Sequence, residues 1–198
     1  SEMCIRDRNR ELTRKLEGNY IEVGLNKNVI NIFDLQPVST DADEKESEEV
    51  MYDTKIAIKN VVEDMIIMFK TLWPNITEDE INVLDEITEK TYRVVGIDGT
   101  ESFRYLKPED YPTFTTFSVV IDQMLEEYEN SSLKNKKVIE ALLNLQMKMR
   151  SLVGTAGIEG HLSRYFNGTT NINMDSLDTI GLVSFGTKHL MNTPEHIR

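Results

Sequence analysis

Few of the 198 residues have types and spacings that could do chemistry. The nearest approach to a phosphate-binding loop is "GLVSFGTK", Gly181 to Lys188. A phosphate cradle has the form G-x-x-x-x-G-K-[ST], in which flexible backbone amides surround the phosphate and the lysine follows the second glycine directly. Here Thr187 displaces the lysine by one place and the residues between the glycines are apolar, so the segment reads as a strand and a turn. "GTAGIEG", residues 154–160, has glycines without an adjacent lysine and reads as a helix end and a loop. His161, His189 and His196 are scattered, with none four residues from another as helical zinc ligands would be, and suit surface or capping roles. The acidic pairs Asp85-Glu86 and Glu126-Glu127 fall on predicted helices, where neighbours diverge by about 100° and form a solvated face. No G-x-S-x-G nucleophile elbow occurs. Met65, Met68, Met124, Met147 and Met149 recur at helical spacing, as gap-filling core residues do. Residue chemistry alone yields no active site.

Bulk properties narrow the class. The net charge is -12, which opposes binding of nucleic acid over the whole surface, because phosphate must be met by clustered Lys and Arg. The lone cysteine, Cys4, excludes an internal disulfide and a multi-cysteine zinc site and fits a reducing compartment. No run of about 18 apolar residues is present. The sequons at Asn75, Asn130 and Asn167 would matter only in a secreted protein and are read as chance.

The elements that would position any site are readable from periodicity. Residues 9–17 form a short predicted helix closed by Gly18, followed by a strand in "NYIEVG" through Tyr20, Ile21 and Val23. "NVINIFDL", 28–35, is apolar on both alternating sets, which suits either a short buried strand or an ordered loop. Residues 36–49 are polar and acidic and read as a mobile surface linker. Then come four amphipathic helices. The first carries Ile58, Val61, Val62, Met65, Phe69 and Leu72 and stops at Trp73-Pro74. A capping box at Thr77 and Glu80 opens the second, with Ile81, Leu84, Ile87 and Thr91 or Tyr92 inward and Gly96 at its end. After a turn-rich connection, Phe117, Val120, Ile121, Met124, Leu125 and Tyr128 mark the third; Val138, Leu142, Leu145, Met149 and Leu152 mark the fourth. Packing the stripes on one another buries them all. "IGLVSF", 180–185, reads as a buried strand.

Three patches carry a family resemblance. "NVINIFDL" is similar to an I-N-P-F-D stretch, with Asn31, Phe33 and Asp34 in place and Ile32 where proline is common. "YPTFTTF" matches a Pro-Thr-Leu stretch at Pro112 and Thr113. "FNGTTNIN" with "TIGLVSFGTKHL" matches an F-x-G-x-T-N loop, at Phe166, Gly168, Thr170 and Asn171, and the strand after it. In this order and spacing they resemble the middle of the conjugative-transfer ATPases of type IV secretion systems, the VirB-four, TrbE, TraC and TraE kind, over about residues 9–198.

The resemblance implies an α/β fragment, mostly helical, in which a partial RecA-like parallel sheet carries an inserted all-helical bundle. Residues 1–8 are read as a sequencing scar, 9–47 as a RecA-like α/β segment with the acidic linker, 48–163 as the helical insertion and 164–198 as the return to the sheet. Ile21 and Val183 would then share that sheet. It also implies a Walker A loop before Asn9 and Walker B acids beyond Arg198, so ATP and magnesium would belong to the parent protein and the fragment itself would hold no cofactor or metal and hydrolyse no ATP. Both ends look cut, the second where Thr193 and Pro194 suit a helix start. Implied partners are the other subunits of a homo-hexamer and secretion-system components. The implied location is the cytoplasm, at the inner face of the bacterial membrane, reached only through partners, and no direct nucleic-acid contact is expected of this segment. The competing reading is a free-standing acidic helical module for protein-protein interaction. It explains the four stripes but leaves the two strands without sheet partners.

Overall fold

The structure, a computed structural model, describes residues 29–39, 50–133 and 135–171. Four helices make its body: α1 (Thr54–Leu72), α2 (Glu78–Val94), α3 (Phe114–Asn130) and α4 (Lys136–Leu152), followed by the single turn α5 (Ser163–Phe166). Each start has a local cause. Asp53 accepts from the Ile56 amide, Asn135 from the Val138 amide, and Thr77 and Glu80 form the reciprocal capping box read from the sequence. Trp73 closes α1 ahead of Pro74, where the residue before a proline is pushed out of helical conformation.

The helix α2 is central, packing on α1, α3 and α4, while α3 and α4 pack on each other. Its buried face holds Val83, Leu84, Ile87 and Tyr92, with Val83 more deeply buried than the expected Ile81. The polar side chains Thr88 and Thr91 are also fully buried there; the Thr91 hydroxyl donates to the Ile87 carbonyl one turn back, and that of Thr88 points to the Met65 sulfur. Met65, Met68, Met124 and Met149 lie in the core as expected, whereas Met147 is exposed, one residue round the helix from the buried face of α4. Glu80 is buried and bonded by Lys148, tying the start of α2 to α4.

The expected parallel sheet is not found among the described residues. The only paired strands there are antiparallel and two residues long: β1 (Val38–Ser39) against β2 (Val50–Met51). The strands predicted at 20–23 and 180–185, with Ile21 and Val183, the helix at 9–17 and residues 40–49 of the linker lie outside the described residues. What the structure shows is a helical bundle, and the α/β reading is corrected accordingly. The described part of "NVINIFDL" explains the misreading, for it is a turn-bearing loop buried on all sides. Ile30, Ile32, Phe33 and Leu35 all face core, so both alternating sets are apolar without any strand. Its amides donate to the Tyr165 carbonyl of α5, to its own Asn31 carbonyl and to side chains, not to a neighbouring strand.

The loop completes the core. Phe33 sits edge-on to Tyr92 and Phe114, at 6.0 and 5.1 Å, and 5.9 Å from Phe117, while Phe69 stands across Phe117 and Trp73. One apolar cluster runs from Ile30 through all four long helices to Tyr165 and Phe166.

Candidate functional site

The sequence-chosen positions lie far apart in the chain, and most of them meet at one place. Asn31 is its centre. Buried to 1% exposure, it donates from Nδ2 to the Pro112 carbonyl at 2.8 Å and accepts at Oδ1 from the Phe33 amide at 3.1 Å. Its own amide donates to the Thr170 hydroxyl at 2.8 Å. A side chain with one donor group and one acceptor group, both used inside the core, is what such a position requires. Beside it the backbone of 29–31 runs against 165–171. The Ile30 amide donates to the Tyr165 carbonyl (2.9 Å), the Val29 amide to Asn171 Oδ1 (2.8 Å) and the Asn171 amide back to the Val29 carbonyl (3.3 Å).

The start of α3 is held by the same knot. Thr113 is its N-cap by position but makes no side-chain capping bond. Instead Asn167 Oδ1 accepts from the Thr115 amide at 3.1 Å, and its Nδ2 donates to the Thr115 hydroxyl at 2.9 Å. Asn167 thus supplies in trans the acceptor that a helix start needs. Phe166 packs in the core. A Cβ on Gly168 would stand 3.5 Å from a Val29 methyl, an ordinary contact, so space does not demand glycine there. Asn171 is exposed apart from its two bonds to Val29.

Asp34 is the titratable group of the knot. Burial pushes its carboxyl up from 3.8 to about 6, partly offset by a hydrogen bond with the Thr170 side chain. Its Oδ1 is buried without a hydrogen bond. Two phenols lie near it. That of Tyr92 donates to the Phe33 carbonyl at 2.5 Å, and burial, with the Asp34 charge adding to it, raises its ionisation far above the usual range; burial pushes Tyr111 up to about 12. The one hydroxyl beside a carboxyl, Thr170 against Asp34, is also held by the Asn31 amide. The chemistry of the arrangement is that of a clamp: neutral hydrogen bonds closing two passages of chain onto the start of a helix.

Sequence reasoning selected Asn31, Phe33, Asp34, Pro112, Thr113, Phe166, Gly168, Thr170 and Asn171 by resemblance, and missed Asn167, Thr115, Tyr92 and Tyr111 as members of the same knot. The signal available for Asn167 was its place just before a glycine in a polar loop; nothing local marked Tyr92, whose partner is 59 residues away.

At the start of α1, α2 and α4 one amide each is already bonded by Asp53, Thr77 and Asn135, and α2 adds Glu78, Asp79 and Glu80 to its first turn, which would repel phosphate. Among the described residues no group of three or more His, Cys, Asp or Glu is arranged to hold a metal ion, and no helix is long and apolar enough to cross a membrane.

No family model matches the chain, and neither does any curated protein. Among solved structures its fold is similar to that of VirB4 of Thermoanaerobacter pseudethanolicus, with a TM-score of 0.55 and 13% sequence identity over 84% of this chain. The matched part is 58% of the VirB4 chain, and at this identity the likeness is one of fold.

Proposed function

We propose that this chain is a segment of a VirB4-like ATPase of type IV secretion, and that it serves as a docking and coupling body while nucleotide chemistry is done elsewhere in the parent protein. The observation that supports this best is the agreement of two different properties. Three separated sequence patches resemble that ATPase family, and their described parts meet around Asn31 in a fold similar to VirB4's. In this reading ATP and magnesium bind to parts of the parent protein that the 198 residues do not include, since neither a G-x-x-x-x-G-K-[ST] loop nor its lysine is among them. The helical body faces other subunits of a homo-hexamer or other secretion components at the cytoplasmic side of the bacterial membrane, which it reaches through those partners. With a net charge of -12 it makes no direct contact with the transported nucleic acid.

Sequencing the DNA on both sides of the coding segment tests the assignment. A strand and G-x-x-G-x-G-K-[ST] upstream, with an apolar run ending in Asp-Glu downstream, are expected; stop codons close to both ends would sink it. The isolated chain should show no saturable, magnesium-dependent heat when titrated with ATP, and tight binding would contradict the division of labour. The free-standing interaction module has one observation in its favour, the closure of a single apolar cluster within residues 30–166. Stop codons at both ends would select it.

A further inference from the structure

The connection between α2 and α3 is too long for a simple turn and is firmly held. The Ile97 amide donates to the Tyr92 carbonyl at 3.0 Å, the Thr54 hydroxyl donates to the Glu101 carbonyl, and Phe103 is buried edge-on against Tyr52 at 5.2 Å. Ordered loops of this length in a packed domain commonly carry function. Within it lies a pocket of about 290 Å³ whose apolar lining comes from Val95, Ile97, Phe103 and Leu106, with Asp98 and Glu101 also contributing. That volume sits at the small end of ligand sites, room for one long side chain and not for a cofactor. Exposed apolar side chains stand there among charged ones such as Arg104, Lys107 and Asp110: Val95 is 38% exposed, Val94 57% and Tyr105, beside Leu106 in the chain, 85%. Exposed aromatic and aliphatic side chains close to a pocket of mixed polarity suit contact with a partner side chain that is itself part apolar, part charged.

We propose that this loop is a docking surface for a protein partner that inserts a lysine or arginine side chain into the pocket. The aliphatic stem of such a residue packs on Phe103, Leu106 and Val95, and its cation meets the carboxylates of Asp98 and Glu101. Hydrogen bonds from Thr100 hold the Asp98 carboxyl below its usual range, so it stays ionised. The net charge of -12 favours a basic partner and speeds its encounter. An acidic or purely apolar side chain would satisfy only half of the pocket. This surface belongs to the chain whether or not the chain is part of a secretion ATPase.

The test titrates the isotope-labelled 198-residue chain with acetyl-Ala-Ala-Lys-Ala-Ala-amide, its arginine counterpart, and a norleucine counterpart that keeps the stem without the charge. Amide shifts for residues 95–106 should saturate with the basic peptides at millimolar concentration, bind about tenfold more tightly than with norleucine, and weaken in high salt. Glu101→Lys, a substitution at an exposed side chain, should lower affinity about tenfold, and Glu101→Gln by less. Equal shifts with norleucine would overturn the proposal. So would shifts confined to the acidic faces of α2 and α3, or no saturable change in the loop.

Discussion

Asp34 offers a prediction whose sign and size both follow from its surroundings. Its carboxyl is moved from 3.8 to about 6 by burial, with the Thr170 hydrogen bond opposing. The folded chain therefore keeps a proton that the unfolded chain has already released between those two values. Stability from this group is fully present below about pH 4 and is lost as pH rises through about 6, because the folded state binds more protons in that window. At about 1.4 kcal/mol for each tenfold difference, the displacement corresponds to about 3 kcal/mol, and residual contact of the half-buried carboxyl with water brings it to about 2. Asp34→Asn removes the titration and nearly keeps the shape. Relative to the parent sequence the variant should gain about 1 kcal/mol in going from pH 4.5 to pH 7.5, the remainder of the effect lying at lower pH. Urea unfolding followed by the fluorescence of Trp73, the single tryptophan, at four pH values across that range provides the assay. Taking the difference between the two proteins cancels Glu80, whose carboxyl behaves oppositely. Burial would raise it, but hydrogen bonds from Lys148 and Thr77 hold it below its usual range. A variant-minus-parent difference that stays flat with pH, or that shrinks as pH rises, would refute the reasoning.

Three further outcomes can be measured in the same way. Asn31→Ala should cost about 2–4 kcal/mol, since it strands the Pro112 carbonyl and the Phe33 amide inside the core, whereas Asn171→Ala at the exposed end of the knot should cost about 1 or less. Gly154→Ala should unfold the α4 terminus or cost more than about 3 kcal/mol, because its Cβ would stand 2.1 Å from the Ile158 carbonyl; Gly96→Ala, with a similar positive φ but nothing within 4 Å, should cost about 1. Lys148→Met should cost about 2 kcal/mol by leaving the buried Glu80 carboxylate without its cation, and the loss should fade in acid as that carboxyl takes a proton.

The four helices were legible because their stripes are regular and their ends carry signals that act locally, as with Thr77 and Glu80 or Trp73 and Pro74. Smaller errors came from the width of a stripe: periodicity alone did not separate Ile81 from Val83 or place Met147 outside. The larger error had a different source. Residues 28–35 carry apolar side chains on both alternating sets, which the rule for buried strands also predicts. Only the destination of the amides distinguishes a strand from an enclosed loop, and those destinations lie some 139 residues away, at Thr170, or inside the loop itself, at Asn31. The knot was invisible to spacing for the same reason. Resemblance chose its residues without their bonds, while Asn167 was marked only by its place before a glycine, which does not reveal that it caps α3 from 52 residues away. The pocket between α2 and α3 depends on how one irregular connection folds on Tyr52 and Thr54, which no periodic pattern encodes.

Val29 and Asn171 are bonded to each other in both directions, so 143 residues of chain leave and come back within one hydrogen-bonded pair. The two described ends of this body therefore stand side by side, so that any chain joined to them would enter and leave at one place.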